Sequence, residues 1–146
     1  MKKIVFALLL FSSVGILAQG GERIKALKRA HITDALDLTS AEAEKFWPIY
    51  NAHEDKMEDI RKQERRAFMD LRVNGIENLT DDQANTIIDN GLKFKAQELE
   101  YLKQLIEKLR SVLPPKKIVR LHRAEEQFKR RMLQMMKDKK GRRGNR

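Results

Sequence analysis

Leu38-Thr39-Ser40-Ala41-Glu42 and, further along, Leu79-Thr80-Asp81-Asp82-Gln83 decide how this chain folds. In each, a threonine side chain can accept a hydrogen bond from the backbone N–H three residues on. Glu42 or Gln83 can reach back to the threonine N–H. This reciprocal arrangement is a capping box, and it starts a helix. A third punctuation, Leu113-Pro114-Pro115-Lys116-Lys117, stops one helix and presets the next, because proline fits the first helical turn and not the interior. Working outward from these points gives four helices, about Glu22–Leu36, Ser40–Val73, Asp81–Val112 and Pro115–Lys137. Asn74-Gly75 and Asn78 form the turn between the second and third. No stretch alternates in the two-residue period of a strand, so the reading is all-α.

The helical stretches carry heptad-like apolar seams. The second has Phe46, Tyr50, His53, Met57, Ile60, Glu64, Ala67 and Leu71. The third has Ile88, Leu92, Lys95, Leu99, Leu102, Ile106, Leu109 and Leu113, widened by Ile87, Gly91, Phe94, Tyr101 and Leu105. The fourth has Ile118, Leu121, Glu125, Phe128, Met132 and Met135. Such spacing favours long helices packed at shallow angles. Pro48 removes one intrahelical hydrogen bond and is expected to bend the second helix near Trp47. Long, thin helices offer too little core per residue to bury every stripe. Some apolar surface is therefore expected to meet a second copy or a ligand. The architecture expected is an elongated, kinked helical hairpin in an antiparallel dimer.

The N-terminus reads as a secretory signal over residues 1–20. Lys2 and Lys3 precede an apolar run from Ile4 to Leu17, and the small residues Ala18 and Gly20 offer a cleavage site. The run is short for a membrane span, which needs about 20 apolar residues. No second long apolar run follows, so no stable membrane insertion is expected after cleavage. The chain has no cysteine, which excludes disulfides, thiolate metal sites and a lipid-anchored lipoprotein. The expected location is the periplasm.

The net charge of +10 is unevenly spread. Residues 21–113 hold 16 basic and 18 acidic side chains, and residues 114–146 hold 13 basic and 3 acidic. A basic segment often signals nucleic acid, but export points instead to anionic envelope surfaces or acidic protein partners. Domain limits follow: a helical domain over 21–136, then a basic, apolar-poor tail over 137–146 expected to be disordered.

The run Arg23-Ile24-Lys25-Ala26-Leu27-Lys28, His31-Ile32-Thr33, and Lys45-Phe46-Trp47-Pro48-Ile49-Tyr50-Asn51 resembles a bacterial envelope family. Leu113-Pro114-Pro115-Lys116-Lys117 and Ala124-Glu125-Glu126-Gln127-Phe128-Lys129-Arg130 complete the likeness. It is similar to Bacteroidetes members of the Spy/CpxP-like group, named for an LTXXQ motif. Members are often called sensors of ECF-type sigma factors or periplasmic heavy metal sensors. Leu79–Gln83 fits the motif outright, and Leu38–Glu42 departs from it by Glu for Gln, which keeps the capping role. The resemblance covers nearly the whole chain after the signal. It implies a periplasmic, helical, cradle-shaped antiparallel dimer that acts as an ATP-independent chaperone or a modulator of the envelope stress response. More distant relatives bind nickel, cobalt or zinc.

Candidate sites follow from residue chemistry. His53 with Met57, and His122 with Glu126, are four residues apart on helix faces and are the candidates for metal. Each histidine also reads as an interface side chain with an apolar body and a polar tip, and the expectation is no cofactor. Arg61, Arg65, Arg66 and Arg72 form a basic rim suited to acidic clients. Met132, Met135 and Met136 read either as core or as an adaptable binding surface. No nucleophile sits beside a histidine and no glycine-rich phosphate loop is present, so no enzyme activity is expected. Two functions remain. One is a holding chaperone or envelope-stress adaptor for partly unfolded proteins. The other is a sensor acting through a membrane anti-sigma partner, with metal as a candidate effector.

Overall fold

The structure, a computed structural model, describes residues 15–144. The side chains of 15–20, of Asp70 and of 139–144 fall outside the description. The described chain is all-helical, in the order α1 (Gly15–Leu36), α2 (Ser40–Ala67), α3 (Met69–Asn74), η1 (Ile76–Asn78, a 3₁₀ turn), α4 (Asp81–Arg110) and α5 (Pro115–Gly144). The expected signal segment is described only from Gly15 on, where α1 begins. Among the described residues, no helix is long and apolar enough to cross a membrane.

Both capping boxes form with the same geometry. Thr39 N–H donates to Glu42 Oε2 at 2.9 Å, and Glu42 N–H to Thr39 Oγ1 at 3.2 Å. Thr80 N–H donates to Gln83 Oε1 at 2.9 Å, and Gln83 N–H to Thr80 Oγ1 at 3.2 Å. Pro115 opens α5 as read from the sequence. Helix α2 continues through Pro48, whose ring removes a single backbone donor.

Several boundaries differ from the sequence reading, among them the start of α1 at Gly15 rather than Glu22 and the end of α4 at Arg110 rather than Val112. The second helix ends at Ala67 rather than Val73, with Phe68 (φ −101°, ψ 15°) dividing α2 from α3. The break falls where Phe68 leans on α4. Its ring meets Phe94 edge-on at 6.2 Å, and the bare Gly91 backbone lies beside it. The turn after α3 takes Gly75 at φ +75°, a conformation open to glycine and strained for other residues. Residues 137–144, expected as disordered tail, continue α5 to Gly144. Lysine and arginine are good helix formers even without apolar neighbours, and Gln134 donates to Asp138 at 3.0 Å across this junction.

The described chain divides into two compact units, residues 38–118 and residues 15–37 with 119–144. In the first, α2 and α4 run antiparallel. Lys56 Nζ donates to Gln104 Oε1 at 2.9 Å and lies 4.8 Å from the centre of the Tyr101 ring, while Phe68 is level with Phe94. Phe46, Trp47, Tyr50 and Ile60 of α2 and Phe94, Leu105 and Leu109 of α4 are buried. The three aromatics of α2 pack on one another, with Phe46 stacked on Tyr50 at 5.3 Å and Trp47 edge-on to Phe46 at 4.9 Å. In the second unit, α1 meets α5. His31 Nε2 donates to the Ala124 carbonyl at 3.0 Å, and its ring lies 5.8 Å from Phe128. Ile32 and Leu36 of α1 and Leu121, Ala124 and Phe128 of α5 are buried.

Candidate functional site

Helix α4 carries two apolar stripes, and only one is used for packing. Phe94, Leu105 and Leu109, with half-buried Ile87, Gly91 and Tyr101, belong to the stripe turned toward α2. Leu109 is a late member of the main seam read from the sequence, and the others are its widening. The main seam closes only at that end, where Ile106 is half-buried and Leu109 and Leu113 are buried; before it, the seam lies open, with Ile88 59% exposed, Leu92 67%, Leu99 53% and Leu102 44%. At about 100° per residue, the open seam lies roughly a quarter turn around α4 from the packed stripe. Exposed leucines scattered singly need no explanation, but a row four turns long is an unpartnered face.

Charge borders this face. Arg61 and Arg65 stand roughly a quarter turn from the packed side of α2, in the same rotational sense as the open seam on α4. In an antiparallel pair that sense brings both to one side of the hairpin. Counting from Lys56–Gln104 and Phe68–Phe94, Arg61 comes level with Leu99 and Arg65 with Lys95. Both arginines are exposed. Arg66 is also exposed but turns to the opposite side of α2, and Arg72 is exposed on α3. The expected rim is thus divided, with two of its four members beside the seam. Lys95, within the seam, donates to Glu98 at 2.6 Å. That hydrogen bond and the Glu98 charge hold the Lys95 ammonium above its usual pKa, so the lysine stays cationic.

The motif residues serve the frame. Leu113 is buried, Trp47 is buried, and Pro48, Pro114 and Pro115 are exposed, with Leu38 and Leu79 half-buried. Glu42 has a second partner that motif matching does not suggest. Its Oε2 accepts from Lys117 Nζ at 2.7 Å, with both side chains less than a fifth exposed. The Lys117 hydrogen bond, then that from Thr39 N–H, holds the Glu42 carboxyl below its ordinary pKa. The Leu-Thr-x-x-Glu and Leu-Pro-Pro-Lys-Lys stretches therefore meet at one oxygen. A glutamine at position 42 would keep the cap but bring no charge to Lys117.

The metal candidates remain two separate pairs. His53 and Met57 are half-buried on the packed side of α2, in one unit. His122, exposed, and Glu126, half-buried, lie on α5 in the other. No group of three or more histidine, cysteine or acidic residues suited to a metal occurs among the described residues. Met132 is half-buried, whereas Met135 and Met136 are exposed, so at least these two are surface groups. A depression of about 210 Å³ lined by Ala67, Leu79, Asp82, Gln83, Thr86 and Ile87 lies beside the α3–α4 turn. Its polar groups are Asp82, Gln83 and Thr86, whose hydroxyl donates to the Asp82 carbonyl at 2.9 Å. Comparison with protein-family models, with curated proteins and with solved structures finds no match.

Proposed function

We propose that this chain is an exported, non-enzymatic holding protein that binds partly unfolded proteins without ATP. The observation that supports it is the open apolar seam of α4, beside a core that α2 and the other stripe of α4 already fill. A client losing its structure exposes apolar segments, often flanked by acids. Arg61 and Arg65 attract such segments before any close fit exists, and Leu92, Leu99 and Leu102 then hold them. Attraction between exposed charges reaches ~8 Å at physiological salt and ~3 Å at 1 M. Capture therefore slows as salt rises while apolar holding persists. Export rests on the signal-like segment of residues 1–20, and the resemblance to the Spy/CpxP-like group adds periplasmic location and a homodimer to the same reading.

The test is suppression of aggregation of several unrelated denatured proteins at low salt, without ATP and near equal stoichiometry. Arg61→Ser with Arg65→Ser should slow capture more than Arg66→Ser with Arg72→Ser. Neither pair should change thermal stability much, because exposed charges contribute little to folding. Failure to protect any client would end the proposal. If a homodimer buries the seam instead, replacing its leucines changes the mass measured by light scattering and leaves capture unchanged. Pull-down of one tight membrane partner, rather than many proteins, would favour the sensor of sigma-factor signalling.

A further inference from the structure

We propose that the C-terminal half of α5 docks on a membrane surface of anionic phospholipid. Residues 127–146 contain nine basic side chains and one acidic one. Among those described, Lys129, Arg130, Arg131 and Lys137 are exposed. Apolar groups are exposed between them: Leu133, Met135 and Met136 are 51%, 41% and 65% accessible.

The arrangement of these groups selects the partner. The stripe of Leu121, Ala124 and Phe128 is buried, and continues through Met132 to Met135 at the same helical phase. There it emerges into solvent. On the helix circumference, Met132, Met135 and Met136 occupy one arc. Lys129 borders this arc on one side and Arg131 on the other. Cations at both edges of an apolar arc suit a helix lying in a headgroup plane. The apolar side chains enter the acyl boundary while the long basic ones reach back to phosphate. Methionine adapts readily to such an irregular layer. Ile24 and Leu27 belong to α1 of the same unit. They too are exposed, at 49% and 41%. An acidic protein would match the cations, and so would nucleic acid. Neither offers a flat array of anions over an apolar layer. The proposal does not depend on the seam of α4 and involves no client.

The full chain lacks cysteine, so a Met135→Cys variant takes a single environment-sensitive fluorophore. A matching label at Asn85→Cys on α4 serves as the reference, and separates α5 docking from any adsorption by the apolar N-terminus. With phosphatidylglycerol–phosphatidylcholine vesicles the label at 135 should shift to the blue, and the label at 85 should not. Pure phosphatidylcholine should give no shift at 135, and ~1 M salt should remove the shift, since the Debye length falls to ~3 Å. Adding Lys129→Gln and Arg131→Gln should weaken partitioning by about 25-fold, as each basic residue near an anionic surface contributes about fivefold. The proposal is overturned by no shift on anionic vesicles, by an equal shift on zwitterionic ones, or by an unchanged shift in the double variant. An equal shift on soluble polyglutamate or DNA would also overturn it, by showing that charge alone suffices.

Discussion

Leucines on two sides of α4 should respond to the same substitution in opposite ways. Leu105 is 5% exposed and belongs to the stripe packed toward α2. Leu105→Ala removes buried methyl groups and leaves a cavity, at a cost of about 2–5 kcal/mol. Leu92 and Leu99 are 67% and 53% exposed. Only about a third and a half of each side chain is withdrawn from water, so truncation costs about 0.7 and 1 kcal/mol. Alanine's higher helix propensity returns a little of that. The exposed shares are what a client would cover. Losing both leucines should weaken client binding by about 2 kcal/mol, or roughly 30-fold in Kd. Urea unfolding followed by far-ultraviolet circular dichroism measures stability. Fluorescence anisotropy of a labelled apolar, acid-flanked peptide measures affinity. If Leu92→Ala with Leu99→Ala destabilises the protein as much as Leu105→Ala, those leucines are interior to the folded assembly and the open-face argument fails. If stability holds and the Kd stays the same, clients bind elsewhere.

Two glycines should behave differently on replacement by alanine. Gly75 sits at φ +75°, so Gly75→Ala should lower stability by about 1–3 kcal/mol. Gly91 is helical, and a Cβ there would lie 3.9 Å from the Phe68 ring. Gly91→Ala should therefore raise stability by about 0.5–1 kcal/mol, as thermal denaturation of the pair would show. For Glu42, the folded-state pKa is lowered, by Lys117 first and then by Thr39 N–H. Its contribution to stability is thus complete above the ordinary carboxyl pKa and is lost as pH falls through the lowered folded value. Glu42→Gln should be less stable than the native chain at neutral pH, with the gap closing in acid; a gap independent of pH would refute the role of the charge. Calorimetric titration with zinc, nickel or cobalt should show only weak binding. A tight stoichiometric site abolished by His53→Ala or His122→Ala would reverse that expectation.

Helix starts were readable because capping is local. Thr39, Glu42, Thr80 and Gln83 need only one another, and Pro115 needs no neighbour at all. The seam on α2 was also readable, since Phe46, Tyr50 and Ile60 have no competing stripe. On α4 the periodicity was ambiguous. Ile88–Leu92–Leu99–Leu102 and Ile87–Phe94–Leu105 both repeat at helical spacing, and choosing between them requires knowing which side α2 approaches. The break at Phe68 was hidden for a related reason: it accompanies a contact with Phe94 and with the bare backbone of Gly91, far along the chain. Of the site residues, the exposure of Met135 and Met136 and the division of the arginine rim depend on helix phase relative to a neighbour. The tie between Glu42 and Lys117 is the same kind of information, a long-range pairing of two stretches each recognisable alone.

That tie bears on how the protein opens. The same Oε2 atom of Glu42 satisfies an orphan amide at the start of α2 and fixes the ammonium of Lys117, just past the start of α5. Neither end can release this atom without altering the other's partner. Fraying, which ordinarily begins independently at each helix terminus, is here a joint event for two termini distant in sequence. The amides of Thr39 and of Lys117 and Ile118, whose N–H groups donate to Glu42 and to Pro114 O, should exchange with deuterium in step rather than each at its own rate. Acid would release them together, making one carboxylate the clasp of two helices.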